Sequence, residues 1–76
     1  MSPRLPRITA RELLRALRRA KWEPIRQSGS HITLEHPEKL GSVTLPRHAT
    51  VTIKPKTLAS ILKQAELTND ELRELL

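Results

Sequence analysis

The side chains best equipped for proton transfer are the three histidines, His31, His36 and His48, in a chain that contains no cysteine. His31 stands apart because it closes the run Arg26-Gln27-Ser28-Gly29-Ser30-His31, which gathers an imidazole, a guanidinium, two hydroxyls and a glycine within six residues. An imidazole titrates near neutrality and can both take and return a proton. A neighbouring cation such as Arg26 favours its neutral, basic form. These are the groups that RNA transesterification requires: a base for the ribose 2′-OH, and donors for the charge that grows on the phosphate. That route needs no metal. The same residues also suit a plain polar strand surface, and both readings stay open on the residues alone.

A strand must present His31 if it is to act. In His31-Ile32-Thr33-Leu34-Glu35-His36 the apolar residues alternate with polar ones, so a strand that buries Ile32 and Leu34 turns His31, Thr33 and Glu35 to its open face. His36 then falls on the Ile32 and Leu34 side, at the strand end before Pro37. Trp22 to Ser28 is a preceding strand, pushed towards an edge or a bulge because Pro24 lacks a ladder donor. If Ile25 faces inward, Arg26 and Ser28 face outward towards His31. Ser28-Gly29 supplies the turn, and Gly29 leaves the backbone uncluttered for an incoming phosphate. A third strand, Ser42 to Leu45, follows the turn from Pro37 to Gly41. Pro46 to Lys56 reads as a loop or short edge strand that brings His48 within possible reach of the site.

Helices flank these strands. Thr9-Ala10-Arg11-Glu12 and Thr68-Asn69-Asp70-Glu71 are capping boxes, with Ile8/Leu13 and Leu67/Leu72 at hydrophobic-staple positions. The first helix is expected from about Ala10 to Ala20. Ala10, Leu13, Leu14, Ala16, Leu17 and Ala20 form its docking side, and Arg11, Arg15 and Arg18 line the other. Leu58, Ile61, Leu62 and Ala65 mark a second helix with Thr57 as its N-cap, a break follows near Glu66 and Leu67, and a short terminal helix runs to about Leu75. The expected fold class is α+β: an α-β-β-β-α two-layer sandwich, with a three-stranded antiparallel sheet, helices on one face and a short C-terminal helix. A length of 76 residues supports one modest core, hence a single domain over residues 1–76.

Fourteen Lys and Arg against eight Asp and Glu give a formal charge of +6, which favours a polyanionic partner, nucleic acid above all. Trp22 is the lone aromatic residue, so an aromatic stacking platform for bases is excluded. Phosphate and sugar contacts are expected instead. Arg11, Arg15 and Arg18 form one basic stripe and Lys54, Lys56 and Lys63 a second cluster, and either could bind phosphate or simply solvate a helix face. Lys54 and Lys56 are favoured because they stand where a helix begins, and a helix N-terminus itself attracts anions. The histidines lie on separate segments without metal-ligand spacing, so no metal and no cofactor is expected. With no cysteine, no apolar run of signal-peptide length in Met1 to Ile8 and no membrane-length apolar stretch, the expected location is the cytoplasm.

Taken in order, these motifs resemble the HicA family of toxins. The resemblance rests on the amphipathic helix leading into Lys21-Trp22, on Arg26-Gln27-Ser28-Gly29-Ser30-His31, on Pro46-Arg47-His48, and on Thr57 to Ala65 followed by Leu67-Thr68 and an acidic, leucine-rich tail. It covers nearly the whole chain. The resemblance implies a double-stranded-RNA-binding-domain-like fold and a ribosome-independent endoribonuclease that cleaves mRNA. It also implies a required histidine at the position of His31, and neutralisation by a HicB antitoxin that covers the active-site face. Arg26, Ser28, Gly29, Ser30, Lys54 and Lys56 would then hold the RNA. Family members often carry Gly where this chain has Lys21 and Lys56. Lys21 is expected to alter only a helix end, and Lys56 to weaken backbone capture of phosphate while adding its own ammonium. The alternative reading is a non-catalytic, small basic RNA-binding module that uses the same surface, and a third is a small partner-binding protein whose charge is incidental.

Overall fold

Both capping boxes start helices. In the computed structural model, which describes residues 6–46, 48 and 50–76, helix α1 spans Ala10–Arg19. The Thr9 hydroxyl accepts from the Glu12 N–H at 3.2 Å, and the Glu12 carboxylate accepts from the Thr9 N–H at 2.8 Å. Helix α3, Asn69–Leu75, repeats the arrangement with Thr68 and Glu71 at 3.1 and 2.8 Å. Ile8 and Leu13 are both buried, as a staple requires. Helix α2 spans Pro55–Ala65 and corrects the sequence expectation: its N-cap is Lys54, not Thr57. Proline at the first helical position is already set to a helical φ and needs no N–H there, so the helix starts a turn earlier than the apolar periodicity indicates.

The strands are β1 (Glu23–Ser28), β2 (His31–Glu35) and β3 (Ser42–Pro46). They form a three-stranded sheet in the order β1-β2-β3, antiparallel throughout. The strand containing Pro24 is therefore an edge, and its pairing slips between Pro24 and Arg26. The edge position and the bulge both follow from a residue that cannot donate to a ladder. Residues 46–56 are not one loop, because Pro46 completes β3 and Pro55 and Lys56 open α2. Between them Ala10 N–H donates to Val51 and Ile53 N–H to Ile8, tying this stretch to the entry of α1 rather than to the sheet.

Leu34, Val43 and Leu45 from the sheet pack with Leu13, Leu17, Trp22, Leu58, Ile61, Leu62 and Leu72 in a single apolar cluster. One sheet face thus carries the helices and the other faces solvent. This α-β-β-β-α-α order is the α+β layout expected, and is consistent with a double-stranded-RNA-binding-domain-like fold. Three helix C-termini, each with unpaired carbonyls, receive a donor from elsewhere in the chain. His36 Nε2 meets Ala20 O at 3.1 Å, Lys39 Nζ donates to Ala65 O at 3.1 Å, and Arg19 donates to Leu75 O at 2.7 Å. Cationic donors at these ends also complement the negative pole of the helix.

Candidate functional site

The hairpin joining β1 to β2 has a loop of two residues, Gly29 and Ser30, because Ser28 pairs directly with His31. Gly29 takes φ +57°, whereas Ser30 does not enter the positive region. A positive φ at the first loop position alone is the pattern of a type II′ turn, which asks for glycine there. A Cβ on Gly29 would meet nothing within 4 Å. The glycine is thus demanded by the backbone, and the space beside it is open.

Residues directly opposite on antiparallel strands share a face. Ser28 opposes His31, Arg26 opposes Thr33, and across the other edge of β2 His31 opposes Pro46 and Thr33 opposes Thr44. Arg26, Ser28, His31, Thr33 and Thr44 therefore form one polar surface on the side of the sheet away from the helices. Opposite neighbours have Cβ atoms about 5 Å apart and diagonal ones about 7 Å, so the Arg26 guanidinium is within reach of a group bound at His31. His31, Arg26 and Ser28 are all exposed.

The route to this arrangement differs from the parity argument. Ile25 does not turn into the core; it is 51% exposed. It is the extra residue of the bulge, standing between Pro24, paired with Leu34, and Arg26, paired with Thr33. In a regular strand beginning from the same Pro24 pairing, Gln27 would oppose His31. The bulge puts Ser28 there instead.

The other expected residues are distributed unevenly. Lys54, the N-cap of α2, and Lys56, in its first turn, are exposed and off the sheet, and no acidic residue occupies that turn. His36 belongs to the core side. Its ring is half-buried and meets Trp22 edge-on at 5.2 Å, and its Nδ1 accepts the N–H groups of Glu38 and Lys39 at 3.0 and 3.1 Å. His48 is exposed, and Arg47 lies outside the described residues. Thr44, on β3, is a further member of this surface to which the histidine-centred motif does not point. Its signal was the alternation of Ser42 to Leu45, which fixes Thr44 on the face opposite Val43. At the far end of the same surface Glu23 opposes Glu35, so it is polarised, cationic near the hairpin and anionic at the other end. Among the described residues no three His, Cys, Asp or Glu side chains gather into a metal-binding group, and no helix is long and apolar enough to cross a membrane.

Fold and surface together define a small basic α+β protein whose sheet leaves one polar face to solvent. A family model, the HicA toxin of bacterial toxin–antitoxin systems, matches residues 10–67, and the chain belongs to that family. Membership makes it the toxin partner of such a pair, with an antitoxin as its cognate protein and RNA as its general substrate. The match starts with α1 and takes in the hairpin, His31 and the start of α2, while α3 lies beyond it. No curated protein matches the chain.

Proposed function

We propose that this toxin is a ribosome-independent endoribonuclease that cleaves mRNA in the cytoplasm without a metal, with His31 as its catalytic residue. The observation that carries the reading is the pairing of an exposed His31 with Ser28, two residues along the strand from Arg26, in a chain of the HicA family. His31 takes the proton of a ribose 2′-OH, and the 2′-oxygen attacks the adjacent phosphorus. The bond from phosphorus to the 5′-oxygen breaks, that oxygen takes a proton from water, and the products are a 2′,3′-cyclic phosphate and a 5′-hydroxyl. Arg26, with the hydroxyls of Ser28 and Ser30, stabilises the charge that grows on the phosphoryl oxygens. Gly29 lets the phosphate approach the backbone, and Lys54 and Lys56 hold flanking phosphates at the start of α2. A HicB-type antitoxin silences the toxin by covering this face.

Incubating the purified protein with RNA in EDTA tests the mechanism. Cleavage is expected to persist under chelation, and its complete loss would overturn the metal-free route. General acid–base catalysis contributes about 10²–10⁴-fold, so His31→Ala is expected to lower the cleavage rate by that order while RNA binding stays close to the parent's. A wild-type protein that binds RNA and leaves it intact would support a pure binding module instead.

A further inference from the structure

The proposed reaction does not use the exposed side of α1. Arg11, Arg15 and Arg18 recur there at intervals of four and three residues, so they stand in one row. With Arg19 and Glu23 they surround a groove of about 460 Å³ that has Leu14 in its lining. The row is poorly neutralised. Glu23 lies 3.9 Å from Arg18, the Glu12 carboxylate is turned to the cap of its own helix, and Arg19 is held by the Leu75 carbonyl.

We propose that this arginine row is a second RNA-binding surface, one that grips the phosphodiester backbone away from His31; the inference rests on RNA being the toxin's substrate. A face that merely solvates a helix mixes both signs of charge, usually with lysine, whereas these positions are all arginine, whose planar fork binds phosphate through two hydrogen bonds. At 1.5 Å of rise per residue the row from Arg11 to Arg18 is about 10 Å long, so its three guanidinium groups fall within the span of a few consecutive phosphates of a stacked strand at ~3.4 Å of rise each. A protein partner is the weaker match. Arginine is itself common at protein interfaces, but their centres also carry large apolar or aromatic anchors, and among the described residues the exposed large hydrophobic side chains, Ile25, Leu40, Val51 and Leu76, all lie outside α1. The groove also abuts Glu23, the first residue of β1, and β1 carries Arg26.

The test measures binding of a single-stranded RNA 20-mer to full-length His31→Ala protein across a salt series, so that cleavage does not intervene. Adding Arg11→Gln, Arg15→Gln and Arg18→Gln is expected to weaken binding at least tenfold at low salt. It is also expected to flatten the slope of log affinity against log salt by about 2, from ~0.7 per lost phosphate contact. Replacing the three by lysine is expected to restore most of the slope. If the triple variant loses its thermal transition, the Arg11→Gln/Arg15→Gln pair repeats the measurement with about two-thirds of the effect on the slope. Affinity and slope equal to the parent's would overturn the proposal. So would unchanged RNA binding with loss of the antitoxin complex, which assigns the row to the protein partner. A wild-type toxin that binds RNA through this row without cutting it would refute the endoribonuclease reading and leave the second surface standing.

Discussion

The imidazole of His36 closes the end of α1 by placing Nε2 3.1 Å from the carbonyl oxygen of Ala20. Because Nδ1 accepts two backbone N–H groups, it carries no proton, and Nε2 bears the hydrogen that is donated to Ala20. One histidine is thus fixed in tautomer and orientation by the fold, while His31 stands exposed on the opposite side of the sheet.

The two histidines should therefore fail in opposite ways. His36→Ala removes three hydrogen bonds and the edge contact with Trp22, and is expected to cost about 2 kcal/mol in urea unfolding. Its cleavage rate, measured well below the melting temperature, should remain near the parent's. His31→Ala is expected to stay within about 0.5 kcal/mol of the parent in stability, as exposed substitutions do, and to lose cleavage. A stable, inactive His36→Ala protein would contradict this division.

Lys21 and Lys56, the two lysines at the end of α1 and the start of α2, are separated by their backbones. Lys21 sits at φ 77° past the end of α1, where Trp22 N–H returns to the Leu17 carbonyl and Lys21 N–H to that of Arg18. This Schellman pattern favours glycine, since an L side chain in the left-handed region costs about 1–2 kcal/mol. Lys21→Gly is expected to stabilise by about 1 kcal/mol, raising Tm by roughly 4–8 °C for a domain of this size. Glu66, at φ 59° after α2, should respond the same way. Lys56 lies inside the first turn of α2 without a positive φ, so Lys56→Gly is expected to destabilise by about 0.5–1 kcal/mol. Calorimetry on the three variants checks the contrast.

Glu71 gives the fold an acid-sensitive joint. The Thr68 backbone N–H, and then the Thr68 hydroxyl, hold its carboxyl below the usual 4.5. A carboxylate depressed on folding contributes stability above its unfolded pKa and loses it as pH falls through the folded one. Tm is therefore expected to decline below about pH 4.5, with the Glu71→Gln protein showing a shallower decline over that range. An identical acid limb in both proteins would remove Glu71 from the account.

Thr68→Ala should break the same cap from its other side, at a cost of about 1 kcal/mol. Unlike Glu71→Gln, it also removes the hydroxyl that receives the Glu71 N–H at 3.1 Å. Urea midpoints of the single and double variants should show strong non-additivity, because the two side chains form one unit.

The starts of α1 and α3, the three strands and the exposure of His31 were legible in the chain because each is encoded locally. A threonine and a glutamate three residues apart close a capping box by themselves, and alternation in His31 to Glu35 fixes which side chains point outward. The remaining features depend on contacts remote in sequence. Whether Ser28 or Gln27 opposes His31 is decided by a bulge at Ile25, which exists only against β2. Likewise Arg19, His36 and Lys39 reach helix ends 56, 16 and 26 residues away. Sequence by itself thus determined the elements and the polar face that carries His31. Only the tertiary structure decided that imidazole's neighbours, because register and long-range hydrogen bonds are set by packing rather than by local propensity.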